Sequence, residues 1–219
     1  MPGTPAMPAA RRVVAVFDFD GTVTDRDTLV PFLITAFGRR RVAAAFAAQP
    51  LAFAGTLLRV LPIDAFKRRV LRRLVKDTPA PRLRALGPAY ARALAPRLRP
   101  GALERIAWHR AQGHLLVLAS ATLDVYLDHV GAQLGFDHVL CTRLASRPGD
   151  DGVERLTGAL DGRDCTGPEK LRRLAALLGD LRTHELHAYG DSAGDRELLA
   201  AADHAHFRPF RGPRARPSR

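Results

Sequence analysis

Two short, unbroken apolar runs, separated by a long stretch of helical periodicity, set the layout of this chain. Residues 13–17 (VVAVF) are β-branched and apolar without alternation, the pattern of a strand buried on both faces. The run stops at Asp18-Phe19-Asp20-Gly21-Thr22, where polarity rises abruptly and a glycine permits a sharp turn. Residues 115–119 (LLVLA) form a second such run, closed by Ser120. Between them, from about 27 to 99, only helical patterns occur, at 28–37, 40–48, 52–60, 65–75 and 82–95. Prolines at 50, 62, 79, 81 and 96 punctuate them. This stretch predicts a helical insert.

Beyond Ser120 the two periods alternate. Residues 124–134 read as a helix stopped by Gly135, and 139–144 with 155–160 as a hairpin around Pro148-Gly149-Asp150-Asp151-Gly152. Residues 169–178 read as an amphipathic helix with Pro168 suited to its first turn. A strand at 185–189 ends in Gly190-Asp191, a helix covers 196–201, and a last strand covers 205–210. The Arg/Pro-rich residues 211–219 read as a disordered tail. The fold class expected is α/β: a Rossmann-like parallel sheet core from 1–25 and 100–219, with 26–99 as a helical cap after the first strand. Trp108 reads as core and His109 as surface.

Composition narrows the partners. The chain has 219 residues, 47% hydrophobic and 26% charged, with a formal charge of +12. Such a balance attracts anions: phosphorylated metabolites, nucleic acid or acidic lipid headgroups. No interleaving of aromatic and basic residues marks a nucleic-acid-binding motif. Residues 42–61 are mostly apolar and follow Arg39-Arg40-Arg41, which suits either an anionic membrane surface or, the favoured reading, packing among cap helices. Cys141 and Cys165 are too few for a disulfide framework. Without a signal-peptide pattern or an 18-residue apolar run, the expected location is the cytoplasm.

The chemistry sits where strands end. Asp18 and Asp20 leave a buried strand two residues apart, a costly arrangement unless a cation neutralises them. Mg²⁺ suits such hard oxygen donors, and a calcium loop is excluded because Gly21 directly follows Asp20. A parallel sheet would gather Asp18 and Asp20, Ser120, and Asp191 with Asp195 along one edge. Lys170 stands in the first turn of a helix, against the positive helix end, so a structural role alone is a poor explanation. His184, His187, His204 and His206 lack metal-ligand spacing on a common face and are assigned no chemistry.

The segment from Val16 to Thr22 resembles the first motif of the haloacid dehalogenase-like (HAD) hydrolase superfamily. Ser120 in LLVLASAT, Lys170 in GPEK, and Asp191 and Asp195 in YGDSAGD match three further motifs in order. The position of the insert is similar to the phosphoserine-phosphatase-like subgroup, whose cap lies between the first two motifs. The resemblance implies that Asp18 attacks phosphorus and that Asp20 serves as acid, then base. It implies Mg²⁺ held by the Asp18 carboxylate, the Asp20 carbonyl and Asp191, with Asp195 in support, and phosphate bound by Ser120, Ala121 and Lys170. Asp20 also separates phosphatases and mutases from dehalogenases, which lack that acid.

The same resemblance assigns the leaving group to Asp27 and to Arg69 in the cap. The fourth motif departs from phosphoserine phosphatases, carrying Ser192 and Gly194 where they usually carry glycine and asparagine. GALDGRDCTGPEK and YGDSAGDRELL resemble instead a broader phosphatase subgroup that includes enzymes of phospholipid headgroup phosphates. The expected function is therefore hydrolysis of a phosphate monoester, on a small phosphorylated metabolite, phosphoserine included, or, alternatively, on a lipid headgroup phosphate at the membrane. A non-catalytic phospho-ligand-binding protein is the rival of another class.

Overall fold

The computed structural model describes residues 11–49 and 63–211. Among the described residues six strands form one sheet in the order β4-β3-β2-β1-β5-β6. They are β1 (Arg12–Phe17), β2 (Leu115–Leu123), β3 (His138–Pro148), β4 (Glu154–Asp161), β5 (His184–Gly190) and β6 (His204–Phe207). All pairings are parallel except the β3–β4 hairpin at one edge. β1 is buried on both faces, as its unbroken apolar run requires. Val14 and Val16 join Val117, Leu174, Leu186 and Leu198 on one side, while Ala15 and Phe17 join the larger cluster on the other.

The first side is covered by α8 (Pro168–Leu178) and α9 (Arg196–Ala201). The second is covered by α6 (Pro100–Ala111) and α7 (Asp124–Leu134), and the helices that follow β1 join the same apolar cluster. Those helices are α1 (Leu29–Phe37), α2 (Arg39–Ala47), α3 (Ile63–Val75), α4 (Ala80–Arg84) and α5 (Gly87–Ala93). The expected helix at 52–60, the second half of the apolar 42–61 stretch, and residues 212–219 lie outside the described residues. No described helix is long and apolar enough to cross a membrane.

The single helix expected at 82–95 is two, α4 and α5, with Pro88 at the start of the second. A proline ring there clashes with the preceding turn and lacks the N–H a continuous helix needs. α6 was not anticipated, because its buried face is Ala102, Ile106 and His109, and a histidine in the apolar stripe blurs the period. The expectation for Trp108 and His109 is reversed: Trp108 is 44% exposed and His109 is fully buried. His109 Nε2 lies 2.8 Å from the Tyr189 hydroxyl, and burial drives its pKa down to about 3, so the ring stays neutral.

The inserted helices are tied to the sheet by backbone as well as by side chains. The Asp77 amide donates to the Leu156 carbonyl and the Leu156 amide to the Thr78 carbonyl, at 2.8 and 2.9 Å. Phe32, Leu71 and Leu74 share one apolar cluster with Phe17, Leu118 and Tyr126. α3 is thereby fixed over the carboxyl ends of the central strands. At β1 the sheet order reverses, and the crevice this leaves is where α/β sheets bind ligands.

Candidate active site

β1 ends at Asp18, whose amide is still held by the Tyr189 carbonyl of β5 at 2.9 Å. The chain then turns through Phe19–Val23 and is closed by the Thr24 amide on the Phe19 carbonyl at 2.9 Å. Gly21 makes that turn at φ +84°, a conformation costly for other residues. Space demands glycine as well, since a Cβ there would sit 2.5 Å from Asp191 Oδ2. Gly21→Ala is therefore expected to displace the Asp191 carboxylate and to destabilise the fold by about 1–2 kcal/mol from backbone strain alone. Denaturant unfolding checks the loss of stability, and an unchanged midpoint would show that the turn accepts a side chain at 21.

Asp18, Asp191 and Asp195 converge, with oxygens within 4.8 Å of one another. Lys170, only 3% exposed, donates to Asp18 Oδ1 at 2.6 Å and to Asp195 Oδ1 at 2.5 Å. Asp195 Oδ2 accepts in addition from the Asp191 and Ser192 amides and the Ser192 hydroxyl at 3.0–3.1 Å. Burial raises the Asp195 pKa, but Lys170 and these donors outweigh it and hold the carboxylate below its ordinary value. Asp18 shares the same ammonium without the extra donors, and burial pushes its pKa up to about 7 against the pull of Lys170. For Lys170, burial opposes the charge, yet Asp18 and Asp195 prevail and raise its pKa.

Arg211 lies 2.6 Å from Asp191 Oδ2, and Arg208 Nε donates to the Asp191 carbonyl at 3.0 Å. The first residue of the expected tail is thus an ion-pair partner within the site. Among the described residues, Lys170 and Arg211 form ion pairs with these three buried carboxylates, and the clustered donors are carboxylate oxygens. That set fits a hard divalent cation such as Mg²⁺.

Asp20 faces a different surrounding. Its Oδ1 accepts from the Thr28 amide and hydroxyl at 3.0 and 2.7 Å, and its Oδ2 from the Thr122 hydroxyl at 2.8 Å. Tyr126 Oη touches both hydroxyls, at 2.8 and 3.1 Å. Burial, then the charge of Asp27, raises the Asp20 pKa to about 6 despite those bonds. A carboxyl poised there can carry a proton near neutrality.

Asp18, Asp20, Ser120, Ala121 and Lys170 line one cavity of about 320 Å³. The buried Ser120 hydroxyl accepts from the Thr122 amide at 3.2 Å. Asp27 also lines the cavity, and its Oδ1 accepts from the Val30 amide in the first turn of α1 at 3.1 Å. Arg69 is not brought there. It is exposed and borders a separate groove with Arg72, Arg73 and Lys76. Lys67, two residues earlier, enters the cavity instead and donates to Asp164 at 2.8 Å and to the Ala121 carbonyl. The helical period separates the two: 67 falls on the stripe of Val70, Leu71 and Leu74, and 69 on the basic face. Thr28, Thr122, Lys67, Asp164 and Arg211 escaped the sequence reading, and of these only Lys67 had such a signal.

A model of the haloacid dehalogenase-like hydrolase family matches residues 15–200. The chain belongs to that family. Protein CicA of Caulobacter vibrioides is 35% identical over 202 residues, 91% of this chain and 87% of CicA. A protein with unknown function from Bordetella pertussis Tohama I superposes with a TM-score of 0.66 at 22% identity, covering 88% of this chain and 87% of that one. A phospho-aspartyl intermediate analogue of phosphoserine phosphatase superposes with a TM-score of 0.56 at 22% identity, covering 88% and 84%. At those identities the structures speak for a shared α/β fold.

Proposed function

We propose that this hydrolase is a Mg²⁺-dependent phosphatase that cleaves phosphate monoesters through an aspartyl-phosphate on Asp18. The supporting observation is that Asp18 and Asp20 share one cavity with Ser120 and Lys170 yet sit in different surroundings, one beside an ammonium and one among hydroxyls. Asp18 would attack phosphorus, forming its O–P bond as the bond to the leaving oxygen breaks. Asp20 gives that oxygen its proton, then takes one from the water that releases inorganic phosphate and restores Asp18. Ser120, the Ala121 backbone and Lys170 hold the phosphoryl oxygens. Asp18, the Asp20 carbonyl and Asp191 would hold Mg²⁺, supported by Asp195; when bound, it neutralises charge on the phosphoryl group and on Asp18. Residues 26–99 act as the cap over this site.

Asp20→Asn is expected to slow hydrolysis of an alkyl phosphate by about 10²–10⁴-fold. An aryl phosphate, whose leaving group needs less proton assistance in the first step, should lose less. Equal losses on both substrates would remove Asp20 from the role of acid. Proton linkage supplies a further check. Raised pKa values on Asp18 and Asp20 mean that the folded protein holds extra protons, and this stabilisation is lost as pH climbs from about 4 to about 7. Mg²⁺ competes with those protons. It should raise the Tm more at pH 8 than at pH 5, and an equal rise at both would separate the metal from these acids.

The substrate favoured is a small phosphorylated metabolite, which a cavity of about 320 Å³ accommodates. A second reading, a lipid phosphate at an anionic membrane surface, draws on an adjoining recess of about 200 Å³. That recess shares Asp27, Leu29 and Lys67 with the catalytic cavity and is walled by Leu33, Val70 and Leu71. Comparing kcat/KM for phosphoserine with that for a short-chain lipid phosphate decides between them.

A further inference from the structure

We infer that Glu185, His187 and His204 form a second metal site, for a transition-metal ion such as Zn²⁺, at the β5–β6 edge of the sheet. Residues two apart on a strand share a face, so Glu185 and His187 point together, away from Leu186 and Ala188 in the apolar cluster. The parallel register sets His204 of β6 opposite His187. The 187–204 pairing is not visible along the chain, since the two residues belong to different strands.

The three ligand atoms lie within 4.8 Å of one another. Glu185 Oε1 is 3.0 Å from His204 Nε2 and 3.5 Å from His187 Nε2. Tetrahedral ligands at Zn–N and Zn–O distances of about 2.0–2.1 Å stand about 3.3 Å apart, which those two separations bracket. The His187 and His204 rings stack with centroids 4.2 Å apart. The His204 and Glu185 side chains are 48% and 37% exposed, which leaves an ion a path from solvent and room for a bound water.

Two imidazoles and one carboxylate select Zn²⁺, Co²⁺ or Ni²⁺ over Mg²⁺, the reverse of the all-oxygen set around Asp18. His187 precedes Asp191 by four residues of strand, about 13 Å at the usual rise per residue, so the two sites are separate. The structural consequence is a clip on β6, a four-residue strand that leads directly to Arg208 and Arg211 at the catalytic acids.

The test is titration of the metal-stripped full chain with Co²⁺ in a large excess of Mg²⁺, read by visible absorption and calorimetry. One equivalent should bind with the intense spectrum of a four-coordinate ion. His187→Ala and His204→Ala should each weaken binding at least tenfold, while Asp18→Asn keeps it. In the wild-type protein, diamagnetic Zn²⁺ should shift the ring-nitrogen NMR signals of His187 and His204 to those of metal-bound imidazole, a readout that needs no variant to fold. Loss of binding in Asp18→Asn, retention in both histidine variants, or no binding beside Mg²⁺ would each overturn the site.

Discussion

Asp18→Asn is expected to cut phosphate release by on the order of 10⁴- to 10⁶-fold, the scale seen when an enzyme loses its nucleophile. The substitution removes the attacking oxygen and preserves the shape, so the loss should not come from unfolding. The pKa of Asp18 is pushed up to about 7 by burial, so its ionised form opposes folding as pH rises towards that value. Asparagine carries no such penalty. At pH 8 without metal the variant should therefore be at least as stable as the parent, and Mg²⁺ should stabilise it less. Assays of phosphate release and thermal unfolding on the same preparation separate the two effects. Activity within tenfold of the parent would end the case for a covalent intermediate on Asp18.

Lys170→Ala should have the largest effect on stability. Lys170 is buried between Asp18 and Asp195, and its loss leaves two carboxylates in a low-dielectric site without their shared cation. Breaking a buried ion pair from one side typically costs about 3–5 kcal/mol. Chemical denaturation at pH 8 should show a loss of that size, shrinking at pH 5 as Asp18 takes up a proton. Mg²⁺ should restore part of it by supplying positive charge to the same oxygens. Turnover should fall as well, since the phosphoryl oxygens lose a donor. A loss below 1 kcal/mol would show that the acids relax into solvent when the lysine is gone.

Much of the frame was legible because parallel strands buried on both sides must be continuously apolar, and a sudden polar residue then marks a carboxyl end. The runs before Asp18 and Ser120 were of that kind, and both residues stand at one crevice. Helix limits were less secure. Pro88 divided one expected helix, and the buried His109 concealed another. The cap residue shows the limit most clearly. Resemblance pointed to Arg69, while packing of the Val70, Leu71 and Leu74 stripe turned Lys67 into the cavity and Arg69 to solvent.

The amino-acid order alone determined the class of fold and the identity of the acids, because each is a local matter of burial period and abrupt polarity. Strand limits needed the sheet itself: β2 runs past Ser120 to Leu123, β3 to Pro148, and β6 stops at Phe207 rather than 210. Only the tertiary structure decided which groups answer those acids. Thr28 and Thr122 on Asp20, Arg211 on Asp191 and His204 beside His187 join residues from separate elements. Those meetings depend on strand register and on which helix face is buried. A slip of one residue would turn every such side chain to the opposite face, so register is set by packing of the whole sheet rather than by any neighbour in the chain.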